Sequence, residues 1–153
     1  MTTIAGLPAH ALLVHAIVVL APLTAALEIL CAVWPAARRR LVWLVLAVAA
    51  VKLVLTPLTI DAGEWLLGQR SRVSAGLQTH AVLGEWMVYF SVALLVVAIA
   101  LAVLHWLEGR SDRRRTAATV VVAIVALVVG VSSIITVVRI GDSGAHSVWG
   151  RGG

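Results

Sequence analysis

The chain has one cysteine, one phenylalanine, one tyrosine, one lysine and seven acidic residues among 153, and each scarcity excludes something. The lone Cys31 rules out an internal disulfide, a CxxC pair and c-type haem attachment, and it lies in an apolar run where a buried thiol is usually inert. There is no HExxH-type metal motif, no nucleophile paired with a base and no phosphate-binding glycine loop, so no catalytic residue is assigned and an autonomous enzyme is not indicated. The glycines of the tail, Gly141, Gly144, Gly150, Gly152 and Gly153, follow no strand and precede no helix, and they read as flexible termination. The N-terminus, MTTIAGLPAH, lacks the positive n-region and small-residue cleavage pattern of a secretory signal, so the first apolar run is expected to stay in the mature protein. No internal repeat and no low-complexity tract is legible.

What is present is apolar. Hydrophobic residues make up 61% of the chain and charged residues 12%, against about 45–50% and 25% in soluble domains. Four runs approach or exceed the roughly 20 residues that a helix needs to cross a bilayer. They predict spans at about 9–34, 41–60, 80–107 and 116–138, joined by connections too short to hold a soluble domain. The fold class follows: an all-α membrane protein, an up-down four-transmembrane-helix bundle forming a single domain over 1–153. The 61–79 connection is too polar to span, and Trp65, Leu66 and Leu67 suggest a short interfacial helix between helices 2 and 3 before a Ser/Gly-containing turn.

The formal charge of +5 belongs to the membrane, not to a nucleic acid. Arg38, Arg39 and Arg40 form one cluster and Arg110, Arg113, Arg114 and Arg115 another, both flanking apolar runs, while the 61–79 connection holds only Arg70 and Arg72. The positive-inside rule then predicts a multi-pass protein of the bacterial plasma membrane, N-out and C-out, with both termini extracytoplasmic. Tryptophans agree: Trp34, Trp43 and Trp106 fall at inner ends of spans, and Trp65, Trp86 and Trp149 near outer ends.

Ionisable residues inside such spans are costly and need a reason. At ~1.5 Å per residue, His10 and His80 fall near the outer boundary, His15 lies ~7–10 Å deeper, His146 is in the outer tail and only His105 is inward. Asp61, Glu64, Glu85 and Asp142 are outward too. Imidazoles clustered with carboxylates are the composition of a metal, haem or proton-handling site. The metal-ligand candidates are His10, His15, His80, Glu85 and His146; the cofactor-binding candidates are His10, His15, His80 and Lys52. His10 and His15 stand about 140° apart around their helix, so they do not chelate one ion as an i, i+4 pair. A haem b held between helices needs one histidine from each, and His10 or His15 with His80 meets that requirement. Lys52, Thr56 and Thr59 share one face of the second helix, which is expected to face the bundle, with Glu28 and Glu85 as candidate partners for the lysine. Pro22 and Pro57 free backbone carbonyls and permit kinks.

The segments LPAHALLVHAIVVLAPL, DAGEWL, HAVLGEW and GDSGAHSVW, in this order, resemble the actinobacterial branch of the four-helix membrane family called domain of unknown function 2231. The resemblance covers nearly the whole chain. Its most specific elements are His10 and His15 opening the first helix and His80 and Glu85 opening the third. Members of this branch often read GHSGA where this chain has Gly141, Asp142, Ser143, Gly144 and Ala145, which leaves Asp142 or His146 in the place of that histidine. The resemblance implies a redox link, since related domains are found beside Rieske-type and cytochrome-like domains. Three readings follow: a haem-b or metal-binding redox subunit at the outer face; a structural or assembly subunit packing through the charge-free fourth helix at Gly130, Ser132 and Ser133; or a transporter of protons or a small solute with Glu28, Lys52 and Glu85 as a path. The partners implied are the lipid bilayer with respiratory or other membrane-complex subunits or further copies of the chain.

Overall fold

The computed structural model describes residues 3–4, 7–69, 73–110 and 116–149, with side chains described from 9 to 145 within them. Four helices carry these residues: α1 (Ala9–Val33), α2 (Pro35–Gly68), α3 (Ala75–Gly109) and α4 (Thr116–Trp149). Before them, β1 (Thr3–Ile4) and β2 (Leu7–Pro8) pair antiparallel over two residues each. All four helices are long and apolar enough to cross a membrane. Each packs against the next, α4 closes the ring against α1, and α1 also meets α3 across the diagonal. The longest, α3, has 35 residues; at 1.5 Å per residue it exceeds a ~30 Å hydrocarbon core, so its ends project.

Local chemistry sets the boundaries. Only Trp34 separates α1 from α2; it is extended (φ −122°, ψ 101°) and Pro35 follows in the first turn, where a missing N–H costs nothing. Ser74 caps α3 by accepting the Leu77 N–H at 3.3 Å. Between them α2 runs unbroken to Gly68, so Trp65, Leu66 and Leu67 continue its last turns and form no separate interfacial helix. The polar residues of this stretch did not end the helix because none of them is a strong breaker. Likewise α4 continues through Gly141 and Gly144. These two glycines are helical and not the flexible ending that their spacing suggested.

Burial is inverted relative to a soluble protein. Val19 (62% exposed), Val54 (62%) and Val128 (59%) face outward, while Glu28, Arg38 and Lys52 are fully buried. Water would penalise such a surface; lipid does not. The buried positions repeat at steps of three and four. In α2 they run Arg38, Val42, Val45, Ala49, Lys52, Thr56, Thr59, the heptad seam of a bundle with left-handed supercoiling. Small residues dominate where helices approach. A Cβ on Gly130 would meet Ile29 Cδ1 at 3.0 Å and the Ala25 Cβ at 3.3 Å. Gly130 is therefore used in packing α4 against α1, and Ser133 is buried as well. Gly130→Leu is expected to lower stability by about 1–3 kcal/mol through overpacking, read as a lower midpoint in thermal unfolding of the detergent-solubilised chain.

The two helix hairpins are copies of one plan. A shift of 70 residues lays the buried Ile17, Ala21, Thr24, Glu28, Cys31 and Ala32 of α1 onto the buried Met87, Ser91, Leu94, Ala98, Leu101 and Ala102 of α3. A shift of 81 residues lays Val45, Ala49, Lys52 and Thr56 of α2 onto the buried Ala126, Gly130, Ser133 and Val137 of α4. The sequence hides this repeat because only HALLVH against HAVLGE and DAG against DSG survive as similar letters.

Candidate functional site

The repeat is most exact at the end where α1 and α3 begin. His10 on α1 donates its Nδ1 hydrogen to the Thr59 carbonyl of α2 at 2.9 Å. His80 on α3 does the same to the Ile140 carbonyl of α4 at 3.1 Å, with Ser143 Oγ also at 3.1 Å from that nitrogen. Thr59 and Ile140 are matched by the 81-residue shift, and so are Gly63 and Gly144, four residues further along each helix. Both imidazoles lie close against those glycines: a Cβ on Gly63 would stand 2.8 Å from His10 Cε1, and one on Gly144 3.0 Å from His80 Cε1. Each ring is thus placed by a carbonyl that its Nδ1 reaches and by a glycine whose missing side chain leaves room for it. With Nδ1 carrying the hydrogen, Nε2 is a lone-pair donor in both, the tautomer that metal-ligating histidines adopt when a backbone carbonyl holds the other nitrogen.

Both histidines line one cavity of about 250 Å³. Its walls are mostly apolar, among them Val14, Ile17, Leu67, Met87 and Val137; Glu64 and Glu85, both exposed, also line it. Gly84 contributes a gap where a Cβ would meet nothing within 4 Å. Thr56 lines the cavity too and leads away from it. Its Oγ1 is 2.8 Å from Ser91 Oγ, which accepts from Lys52 Nζ at 2.8 Å.

The other candidates are dispersed. His15 is exposed and turns its Nδ1 hydrogen back to the Ala11 carbonyl of its own helix, away from the cavity. Lys52 is fully buried beneath the cavity, turned to Ser91, and among the described residues it has no ion pair with Glu28 or Glu85. The side chain of His146 lies outside the described residues. Among the described residues no three His, Cys, Asp or Glu side chains gather as a metal cluster. Asp142 is exposed and is not among the residues that line the cavity.

Sequence reasoning missed Arg38 altogether as an individual. It is buried, its Nη2 and Nε grip the two Glu108 carboxylate oxygens at 2.6 and 3.2 Å, and its Nη1 reaches the Cys31 carbonyl at 3.0 Å. That guanidinium satisfies the terminal carbonyls of α1 and ties α2 to α3, so it is a fastening of the bundle and not merely an interfacial charge. The interfacial role falls to exposed Arg39, Arg40 and to Arg110, which stacks 3.7 Å above the Trp106 ring.

A four-helix membrane bundle with a paired-histidine cavity at one end is the class that fold and geometry define. The chain belongs to the DUF2231 family of predicted membrane proteins, whose model matches residues 6–153. No curated protein and no solved structure matches the chain.

Proposed function

We propose that the chain is a haem-b-binding redox subunit of the bacterial plasma membrane, with His10 and His80 as the ligand pair. The observation that carries this reading is the matched pair itself: two imidazoles from diagonal helices, each with Nδ1 fixed and Nε2 left as the donor, on one apolar cavity. The lack of a three-ligand cluster among the described residues favours haem over a lone ion, because haem iron asks only two axial ligands of the protein. The donor set fits the group. The space fits it in part: 250 Å³ is below the roughly 300–1,000 Å³ of ligand sites, so the open flank over Gly84 is needed as well. When bound, haem would supply one-electron chemistry; the chain would supply axial donors, an apolar shell and, with Glu64 and Glu85, negative charge along the cavity lining.

Arginine placement supports putting the histidine end outside, with both termini extracytoplasmic. That orientation would present the site to electron-transfer partners in the same membrane. The expected result is a protein that purifies from haem-replete cells with a sharp reduced-minus-oxidised haem band. Gly84→Leu, which fills open space and leaves the packing intact, should fold normally and lose most of that band. A colourless wild-type preparation would overturn the reading.

A further inference from the structure

Below the cavity the two hairpins stop matching. Thr24 and Glu28 on α1, Lys52 and Thr56 on α2 and Ser91 on α3 are buried polar groups. Their counterparts under the 70- and 81-residue shifts are Leu94, Ala98, Ser133, Val137 and Ala21. The fold evidently closes at those positions with apolar or small side chains. The larger polar groups at these positions are therefore not required for packing, and in a membrane interior such groups are costly. They also form a sequence in space. Thr56 reaches the cavity, Ser91 joins Thr56 to the Lys52 amine through contacts of 2.8 Å, and Lys52 lies within electrostatic reach of Glu28. Neither carboxylate oxygen of Glu28 has a hydrogen-bond partner among the described residues, although both are fully buried. The hydrogen-bonded chain ends at Lys52, and the orphaned Glu28 carboxylate lies one step beyond it; a buried carboxylate without a partner next to such a chain is the arrangement expected of a group that takes up and releases a proton.

We propose that Glu28 and Lys52 form a mid-membrane proton-binding site, loaded from the histidine cavity through Thr56 and Ser91. A proton entering from cavity water binds the Thr56 hydroxyl oxygen, whose own proton passes to Ser91; the Ser91 hydroxyl, turned from the Met87 carbonyl toward Lys52, passes its own proton to the neutral amine, which then accepts where it donates in this structure. The ammonium so formed then turns from Ser91 to the Glu28 carboxylate, with which it has no hydrogen bond in this structure, delivers one proton there, and the chain resets by return of the amine and rotation of the two hydroxyls. No electron moves, and one proton is gained. The charged and titratable groups around Glu28 are Lys52 and Arg38 from α2 and Cys31 on its own helix, with Arg38 held by Glu108 of α3. At this level α3 and α4 offer Ala98, Ala102, Ala126 and Gly130, none of which titrates. The site stands whether or not the histidine pair holds a haem.

Infrared spectroscopy of the full chain in lipid films tests this without any added ligand. The expected result is a protonated-carboxyl band that grows as bulk pH falls and is missing in Glu28→Gln. Its shift on exchange into deuterium oxide should slow roughly tenfold in Ser91→Ala and return toward the wild-type rate in Ser91→Thr. If no Glu28-dependent band emerges at any pH at which the helical amide signal persists, the site binds no proton. If the band exists but Ser91→Ala exchanges at the wild-type rate, the proton does not enter through Ser91. Either result overturns the proposal.

Discussion

Arg38→Ala should lower the stability of the bundle by about 3 kcal/mol, the low end for breaking a buried ion pair, since the Glu108 side chain keeps 31% exposure and can rehydrate. The loss has two parts. Glu108 loses a two-pronged partner, and the Cys31 and Ala32 carbonyls at the end of α1 lose the donor that satisfies them. Arg38→Lys should recover little, because one ammonium cannot grip both carboxylate oxygens and reach across to α1. Unfolding of the purified variants by a denaturing detergent, followed by circular dichroism, reads the difference. Equal midpoints for wild type and Arg38→Ala would show that Arg38 is a surface charge like Arg39 and Arg40.

The second large effect separates glycines by what lies above them. Gly63→Ala puts a Cβ 2.8 Å from His10 Cε1 and 2.9 Å from Nδ1, so the ring must leave the Thr59 carbonyl. Overpacking with loss of that hydrogen bond should cost about 1–3 kcal/mol. Gly144→Ala meets His80 at 3.0 and 3.3 Å, a milder conflict that should give a smaller loss. Gly141, on an exposed turn of the same helix, has nothing within 4 Å of a Cβ. Gly141→Ala should therefore stabilise the chain by about 0.5–1 kcal/mol through helix propensity. Thermal midpoints ranked Gly141→Ala above wild type, then Gly144→Ala, then Gly63→Ala are the expected order; three equal midpoints would mean that the histidine rings are not seated on these glycines.

The four helices were legible because apolar runs of that length have few other structures open to them. Their ends were less so. The polar letters of DAGEWLLG read as a surface loop, yet helix continued, since Ala, Glu, Trp and Leu all tolerate it and no proline intervenes. Choosing between His10 and His15 was the harder matter. Hydropathy treats both alike, as each sits among alanine, leucine and valine. A signal was nevertheless present: counting back by sevens from Cys31 through Thr24 and Ile17 reaches His10, not His15, and from Leu101 through Leu94 and Met87 it reaches His80. Heptad spacing of the residues that pack inward, not hydropathy, is what separates the two histidines. Arg38 was masked by its neighbours, because a run of three arginines looks like one interfacial cluster and gives no hint that the first turns inward.

The most direct test of the paired-histidine account is titration of the haem-free protein with haemin, read by optical and electron paramagnetic resonance spectra. The account predicts one low-spin, bis-imidazole haem per chain in wild type and in His15→Ala, and a high-spin, single-histidine form in both His10→Ala and His80→Ala. A low-spin spectrum that survives either of those two substitutions, or one lost in His15→Ala, would contradict it.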